Sequence, residues 1–559
     1  MPRYIWLSSG ETAVHSPHTF PPMSFQLEEA GDCEQSAGHQ PQITEMVVGI
    51  SKHNVATDEQ YNVFTHREKL LIVRIASLAA LFSPLTANIY FPAIPVISRE
   101  FHKSVELINL TVTMYMILQG LSPMVWGTLS DRLGRRPIMF ACLTTLSLSC
   151  VGLALVPTSA YWLLMVLRCL QAAGSASTFA LGAGIIADIS APAERGGFFG
   201  IFGLGPLVGP AFGPVIGGAL DQGLGWRAIF WFLCICSAIC GLGLFLFLPE
   251  TLRAIVGDGS ISAGWIYMPS IPIIGRHRKM KESNERPPRK SFTNPLLMFA
   301  YPDVFVLLLF NGTYYAVMYG VTASSSVVFE NLYPYLTQTD LGLCFLPIGG
   351  GMVLGTWASG RFLDACYQKT MDDLILQAPA QSVEDVDALQ GDPLFPIETA
   401  RLQAFPYIIS VYVVCVIGYG WSLHWRVTIA VPLILQFISK LFTFTAPGDA
   451  ACMDSHRLFL RSRQASSITA CVRTPPMSPP HGSPLNSPFW QNNIVRCTMG
   501  AGMVSIMNPI LVALGNGWAY TLLGGLCVLV SPFLYIDVRW GPMWRERRRI
   551  KEQQETLRR

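Results

Sequence analysis

The stretch GTLSDRLGRRP, residues 127–137, closes an apolar run and opens another. It sets Asp131 beside three arginines, Arg132, Arg135 and Arg136, around a glycine turn at Gly134. Basic residues alone would serve as an anchor on the inner side of a membrane. That role explains neither Gly127 and Gly134 nor the acid. A carboxylate flanked by arginines at a membrane boundary can pair alternately with neighbouring helix ends, and so acts as a latch for one of two conformations.

Outward from this turn the chain reads as a series of membrane spans. Of 559 residues, 51% are hydrophobic and only 13% charged, too apolar and too poor in charge for a soluble protein of this size. A spanning helix needs about 20 mostly apolar residues. Such windows fall at 70–92, 107–129, 137–157, 161–187, 197–220 and 227–248, then at 302–328, 339–363, 404–424, 427–447, 494–515 and 517–536. The fold class expected is an all-α polytopic membrane protein with twelve transmembrane helices in two six-helix halves. The halves echo one another: GTWASGRFLD closes span 8 as GTLSDRLGRRP closes span 2, with Gly360, Arg361 and Asp364 at the equivalent places. A duplicated six-helix unit suits a substrate held between two rocking halves.

The domain plan follows from composition. Residues 1–68 are acidic and rich in polar, Gly and Pro residues, which predicts a disordered segment. Residues 69–250 form the first half, 251–298 a basic linker, 299–540 the second half and 541–559 a basic tail, with an acidic loop at 366–403. Arginines and lysines concentrate in the loops after even-numbered spans, which puts both termini in the cytoplasm. The basic runs lie beside apolar spans, where they meet lipid headgroups rather than nucleic acid. The fourteen cysteines are scattered through apolar stretches without ligand spacing and read as small hydrophobic filler, so no metal and no cofactor is expected. The first apolar run begins near Leu70, so the first spanning helix does the targeting.

Several features inside the spans point to function. Arg168 sits in LLMVLRCLQAAGSAS, with Gln171 one turn on; a buried guanidinium costs several kcal/mol unless paired or hydrated. A functional role and a structural one, bonding to a neighbouring backbone, both stay open. Span 5 repeats Gly-Pro as Gly205-Pro206, Gly209-Pro210 and Gly213-Pro214, then adds Gly217 and Gly218. Glycines four apart lie on one face and admit a close backbone, while the prolines remove donors and bend the helix. Three such pairs exceed what packing needs. Asn88, Tyr90, Tyr115, Gln119, Asn311, Tyr315 and Tyr319 are polar or aromatic groups inside spans and are the candidates for a substrate cavity, each equally open to a packing role. No aspartate or glutamate lies near the centre of any span.

GTLSDRLGRRP resembles the loop signature of the major facilitator superfamily, over roughly residues 70–540. The resemblance implies a charge relay from Asp131 and its arginines to Asp188 at the end of span 4, touching the start of span 11. Arg168, Gln171 and Gly174 are similar to the family's span-4 motif, which implies a part in proton coupling. The span-5 repeat resembles the antiporter motif of exporters. SPLTANIYFPAIPVI, WRAIFWF, LPETLR, NGTYYAVMYGV, LGLCFLPIGGGMVLGT and RWGPMWRER, in that order, resemble the fungal drug:proton antiporter family with twelve spans. What this implies is a plasma-membrane exporter of drugs, weak acids, polyamines or secondary metabolites, driven by protons; a monomer is expected, and the lack of a paired His, Asp or nucleophile constellation on the spans argues against an enzyme. A proton-coupled nutrient importer is the main alternative, since fold does not fix direction.

One stretch departs from that pattern. Within an atypical insertion at 448–491, the run VRTPPMSPPHGSPLNSPFWQ at 472–491 precedes NNIVRC. A retained intron, or a gene-model error that impairs transport, and a real cytoplasmic insertion are both open readings; the sequence of the mature transcript separates them.

Overall fold

The computed structural model describes residues 62–191, 194–261, 264–274, 302–377, 405–445 and 489–558. The first half contains α1 (His66–Asn88), α2 (Val105–Leu133), α3 (Arg135–Leu155), α4 (Tyr161–Ile189), α5 (Arg195–Leu224) and α6 (Arg227–Phe247). The second contains α7 (Pro302–Leu332), α8 (Leu346–Gln377), α9 (Phe405–His424), α10 (Ala430–Thr445) and one continuous stretch, Phe489–Arg558. Gly515, at a φ of 71°, breaks that stretch into α11 before it and α12 after it. Among the described residues, ten helical stretches are long and apolar enough to cross a membrane; the break in the last and the shorter α10 bring the spans to the expected twelve.

Local chemistry sets these boundaries. Thr65 caps α1 by accepting from the Glu68 N–H, and the Glu68 carboxylate accepts from the Thr65 N–H at 2.9 Å. Gly134 separates α2 from α3 with a φ of 107°, a backbone form that glycine adopts without strain. Large apolar side chains such as Val125, Leu148, Ile239 and Val414 stand on the outside, each about two-thirds exposed (65%, 66%, 66% and 67%), as a surface solvated by hydrocarbon requires. The chain is therefore a multi-pass membrane protein.

Helices in lipid gain nothing from burying apolar surface against each other, so close packing at small residues holds them together. A Cβ at Gly205 would overlap the Ser77 carbonyl of α1, and one at Gly217 the Ile89 carbonyl; at Gly209 it would lie 2.7 Å from the Leu85 nitrogen. Pro206 supplies no N–H to the Phe202 carbonyl one turn back. The Ser77 hydroxyl donates to that carbonyl instead, at 2.9 Å, and accepts from the Gly205 N–H at 3.2 Å.

Several boundaries differ from the sequence reading. Asn62 donates to the Ile189 carbonyl at 3.5 Å and Phe64 is buried, so the packed chain includes the end of the 1–68 segment. The start of the basic linker folds back beside α6, with the Ile271 N–H bonded to Leu246 O at 3.0 Å. Helix α8 runs on to Gln377, into the stretch read as an acidic loop; Phe489 to Gln491 join the first turn of α11; the basic tail continues α12 to Arg558. Residues 1–61, 378–404 and 446–488, which hold most of the acidic N-terminal segment, the acidic loop and the atypical insertion, lie outside the described residues.

Replacing Gly205 or Gly217 with leucine is expected to abolish the monodisperse peak in size-exclusion chromatography. Gly200→Leu, where a Cβ meets nothing within 4 Å, should leave it intact. Equal behaviour of all three variants would contradict the α1–α5 packing.

Candidate functional site

The turn between α2 and α3 is a closed electrostatic assembly. Arg135 is buried and bridges two carboxylates: its Nη1 lies 2.7 Å from Asp131 Oδ1 and its Nε 3.0 Å from Asp188 Oδ2 on α4. Gly184 lets this side chain pass, since a Cβ there would sit 3.1 Å from Cζ of Arg135. Arg136, also buried, donates to the carbonyls of Phe245 at 2.7 Å and of Ile266. Arg132 is exposed, so two of the three arginines expected in the latch carry these bonds. Gly127 lies half-buried on α2.

Glu250, not assigned to the latch from sequence, completes it. It is 1% exposed and accepts from four backbone N–H groups: Arg135, Thr251 and Leu252 at 2.9 Å and Arg136 at 3.2 Å. The carboxylate thus caps α3, filling donors that a helix start leaves open. Burial pushes the Glu250 carboxyl above its ordinary value, and the four N–H donors oppose that shift. A Cβ at Gly134 would overlap Glu250 Oε2, so that glycine is required for space as well as for φ. Arg253 adds a bond to the Asp188 carbonyl at 3.1 Å. The start of α11 meets α2 farther along, where Asn493 Nδ2 donates to the Gln119 carbonyl at 3.1 Å and Gly120 lies against Cys497. In the second half Arg361 stacks on Trp357 at 4.3 Å, while the environments of Gly360 and Asp364 lie outside the described residues.

Arg168 is fully buried on α4. Its guanidinium lies over the rings of Tyr90 and Tyr115, 4.1 and 4.5 Å from their centroids, and Nη1 donates to Gln171 Oε1. The ring faces are electron-rich and attract the cation. Tyr115 is held in turn by Thr86 at 2.6 Å and Ser175 at 2.9 Å, and Tyr90 by Thr111 at 3.2 Å. Two of the sequence-picked cavity residues therefore form the seat of Arg168.

The other candidates divide by role. Asn88 bonds its own helix at Pro84 O, 2.7 Å away, which is a packing role. Tyr315 and Tyr319 stack with centroids 4.5 Å apart, and Arg496 of α11 lies 4.4 Å over the Tyr315 ring. Asn311 donates to Asn492 Oδ1 at 2.6 Å, tying α7 to α11. Gln119 is half-buried, its Oε1 without a hydrogen-bond donor among the described residues.

The halves meet at α5 and at α2. A Cβ at Gly218 would overlap the Gln338 carbonyl, one at Gly349 would overlap Ala211, and one at Gly342 would lie 2.5 Å from the Pro214 carbonyl. Gln222 accepts from the Thr339 N–H at 3.1 Å, and Arg99 pairs with Glu330 at 2.9 Å. Glu106 bonds Asn508, and Thr113 bonds Ser505 at 2.8 Å. These contacts lie between mid-span and the end opposite the α2–α3 turn. Sequence reading also passed over Asp221, a buried acid near that far end of α5, and Lys440, buried in α10. Each is a single charge within or beside an apolar window, the signal that picked out Arg168.

The sequence profile described as Major Facilitator Superfamily matches residues 76–457. Citrate exporter 1 of Aspergillus niger is 37% identical over 494 residues, 87% of this chain and 89% of its own length. MFS-type transporter phiD of Fungal sp. is 33% identical, with 89% and 72% covered, and Multidrug transporter QDR2 of Candida glabrata is 30% identical, with 86% and 82% covered.

Glu250→Ala strands buried N–H groups at the start of α3 and should lower stability by about 1–3 kcal/mol, read by thermal unfolding in detergent. Glu194→Ala removes an ion pair with Lys69 whose acid is 47% exposed and should cost about 1 kcal/mol or less. Equal losses would contradict the capping role.

Proposed function

The chain belongs to the Major Facilitator Superfamily, and on that premise we propose that it exports small organic molecules across the plasma membrane in exchange for protons, as a monomer with both termini cytoplasmic. The observation that carries the reading is the use of the Gly-Pro repeat. The helix that resembles the exporters' antiporter motif packs on α1 of its own half and, through Pro214 and Gly218, on the helical segment that leads into α8 of the other half. A bent, small-residue helix at that junction gives the halves a seam about which to rock.

Positive-inside bias puts the α2–α3 turn in the cytoplasm. The α5 contacts then fall between mid-span and the outer side, while Gln119 and Gly120 of α2 meet the start of α11 nearer the cytoplasm. Two of the three relatives named above are an exporter of citrate and a multidrug transporter, and a cargo within the range of organic acids, drugs and secondary metabolites is in keeping with both. With no acid at mid-span, proton handling falls to Asp131 and Asp188, to the surroundings of Arg168, or to the substrate itself.

Transporter-deficient yeast expressing the chain should accumulate less of at least one compound in a panel of radiolabelled organic acids and fluorescent drugs. A protonophore should abolish the difference, and Arg168→Ala should bring accumulation to the level of the empty vector at unchanged surface expression. Raised accumulation would support import and overturn the export reading.

A further inference from the structure

Lys440, like Arg168, is a cation buried within a span with no ion-pair partner among the described residues. It is 2% exposed, and its ammonium donates to the Met318 carbonyl at 3.3 Å and to Thr322 Oγ1 at 3.1 Å, both on α7. Its Cβ lies against Gly351 of α8. Neither acceptor carries a charge, and among the described residues Lys440 forms no ion pair.

Its counterpart is Arg168. In a chain built of two six-helix units, α4 and α10 are equivalent helices, and each carries one buried cation and one buried glutamine: Arg168 with Gln171, Lys440 with Gln436. Arg168 likewise forms no ion pair among the described residues, and its Nε and Nη2 are buried without acceptors. Helix α7 links the two environments. Its Tyr315, Met318 and Tyr319 side chains join the first half's core, while the Met318 carbonyl and Thr322 hold Lys440.

Two uncompensated cations inside a membrane are costly, and such groups mark substrate or ion pathways. Gln436 bonds Ser325 through its nitrogen at 2.9 Å and leaves its Oε1 without a partner, so it does not supply the missing negative charge. The charge is absent from both halves in the same way, and an anion passing between them would satisfy each.

We infer that the cargo is an organic carboxylate, recognised by Arg168 in the first half and Lys440 in the second. This deepens the export reading and rests on it. Two separate single charges, Arg168 set against two tyrosine rings and Lys440 against Met318 and Thr322, suit carboxylate groups on an organic frame, whereas a phosphate dianion calls for several donors converging on one point. Lys440 is then a specificity residue, and neutral or cationic compounds gain nothing from it.

The test uses the full chain in lipid nanodiscs and follows thermal unfolding with succinate, tricarballylate and benzoate as carboxylate probes and rhodamine 6G as a cation. At least one carboxylate should stabilise the wild type, and Lys440→Met should raise the concentration needed for half that effect by at least about tenfold. Lys440→Arg should retain the response. Without ligand, Lys440→Met should unfold no lower than the wild type, because it removes an uncompensated buried charge; this separates lost recognition from lost folding. No stabilisation by any of the three carboxylates, or a response equal in wild type and Lys440→Met, overturns the inference. Protonophore-sensitive dye export in cells, alongside that failure, would leave the transport reading standing.

Discussion

A charge or a backbone donor inside a bilayer has no water to turn to, so every one must be answered from within the protein. At the α2–α3 turn the answer comes from carboxylates and carbonyls, although Arg135 Nη2 and Arg136 Nε have no acceptor among the described residues. Arg135 is shared by Asp131 and Asp188, and the four N–H groups around Glu250 are satisfied by one carboxylate. The N-terminal end of α3, the end of α4 and the exit of α6 are thereby fixed to one another. At Arg168 the answer is partial and made of ring faces, a glutamine and no carboxylate. The contrast separates what holds the first half rigid from what is left for a passing ligand.

The same solvent explains the glycines. With no hydrophobic gain from helix association, α5 contacts α1 at Gly205, Gly209 and Gly217, and the other half near Gly218 and Ala211, through backbone approach. Contacts of this kind weaken together, because a backbone that moves away by about an ångström loses roughly a quarter to a half of its dispersion attraction along the whole line of approach. A seam built this way suits two discrete arrangements better than a graded one.

Much of this was legible in the sequence, for identifiable reasons. Apolar windows gave the twelve spans because a bilayer imposes their length. The short α10 and the fused α11–α12 stretch were found in the right places, since Gly515 separates two apolar windows whatever the backbone does there. Asp131 and Arg135 were legible through a dense local motif, Asp188 through what the family resemblance implied, and Arg168 through its isolation. Glu250 was not, because it reaches the turn across 115 positions of chain and caps backbone that no side-chain pattern reveals. Lys440 carried the signal of Arg168 but had no motif around it. The extra turns of α8 carry charges, and the folded start of the linker, though apolar at Trp265, Ile266 and Ile271, is broken by glycines and prolines and too short to read as a span.

The central claim is that two halves rock about the seam between α5 and the start of the second half's α8 region. Cysteines placed at Gln222 and Thr339, in a background without native cysteines, should cross-link across that seam on oxidation, because the Gln222 side chain and the Thr339 backbone are 3.1 Å apart. The account predicts that the cross-link stops transport and that a reductant restores it. A cross-linked protein that transports at the uncross-linked rate would contradict it.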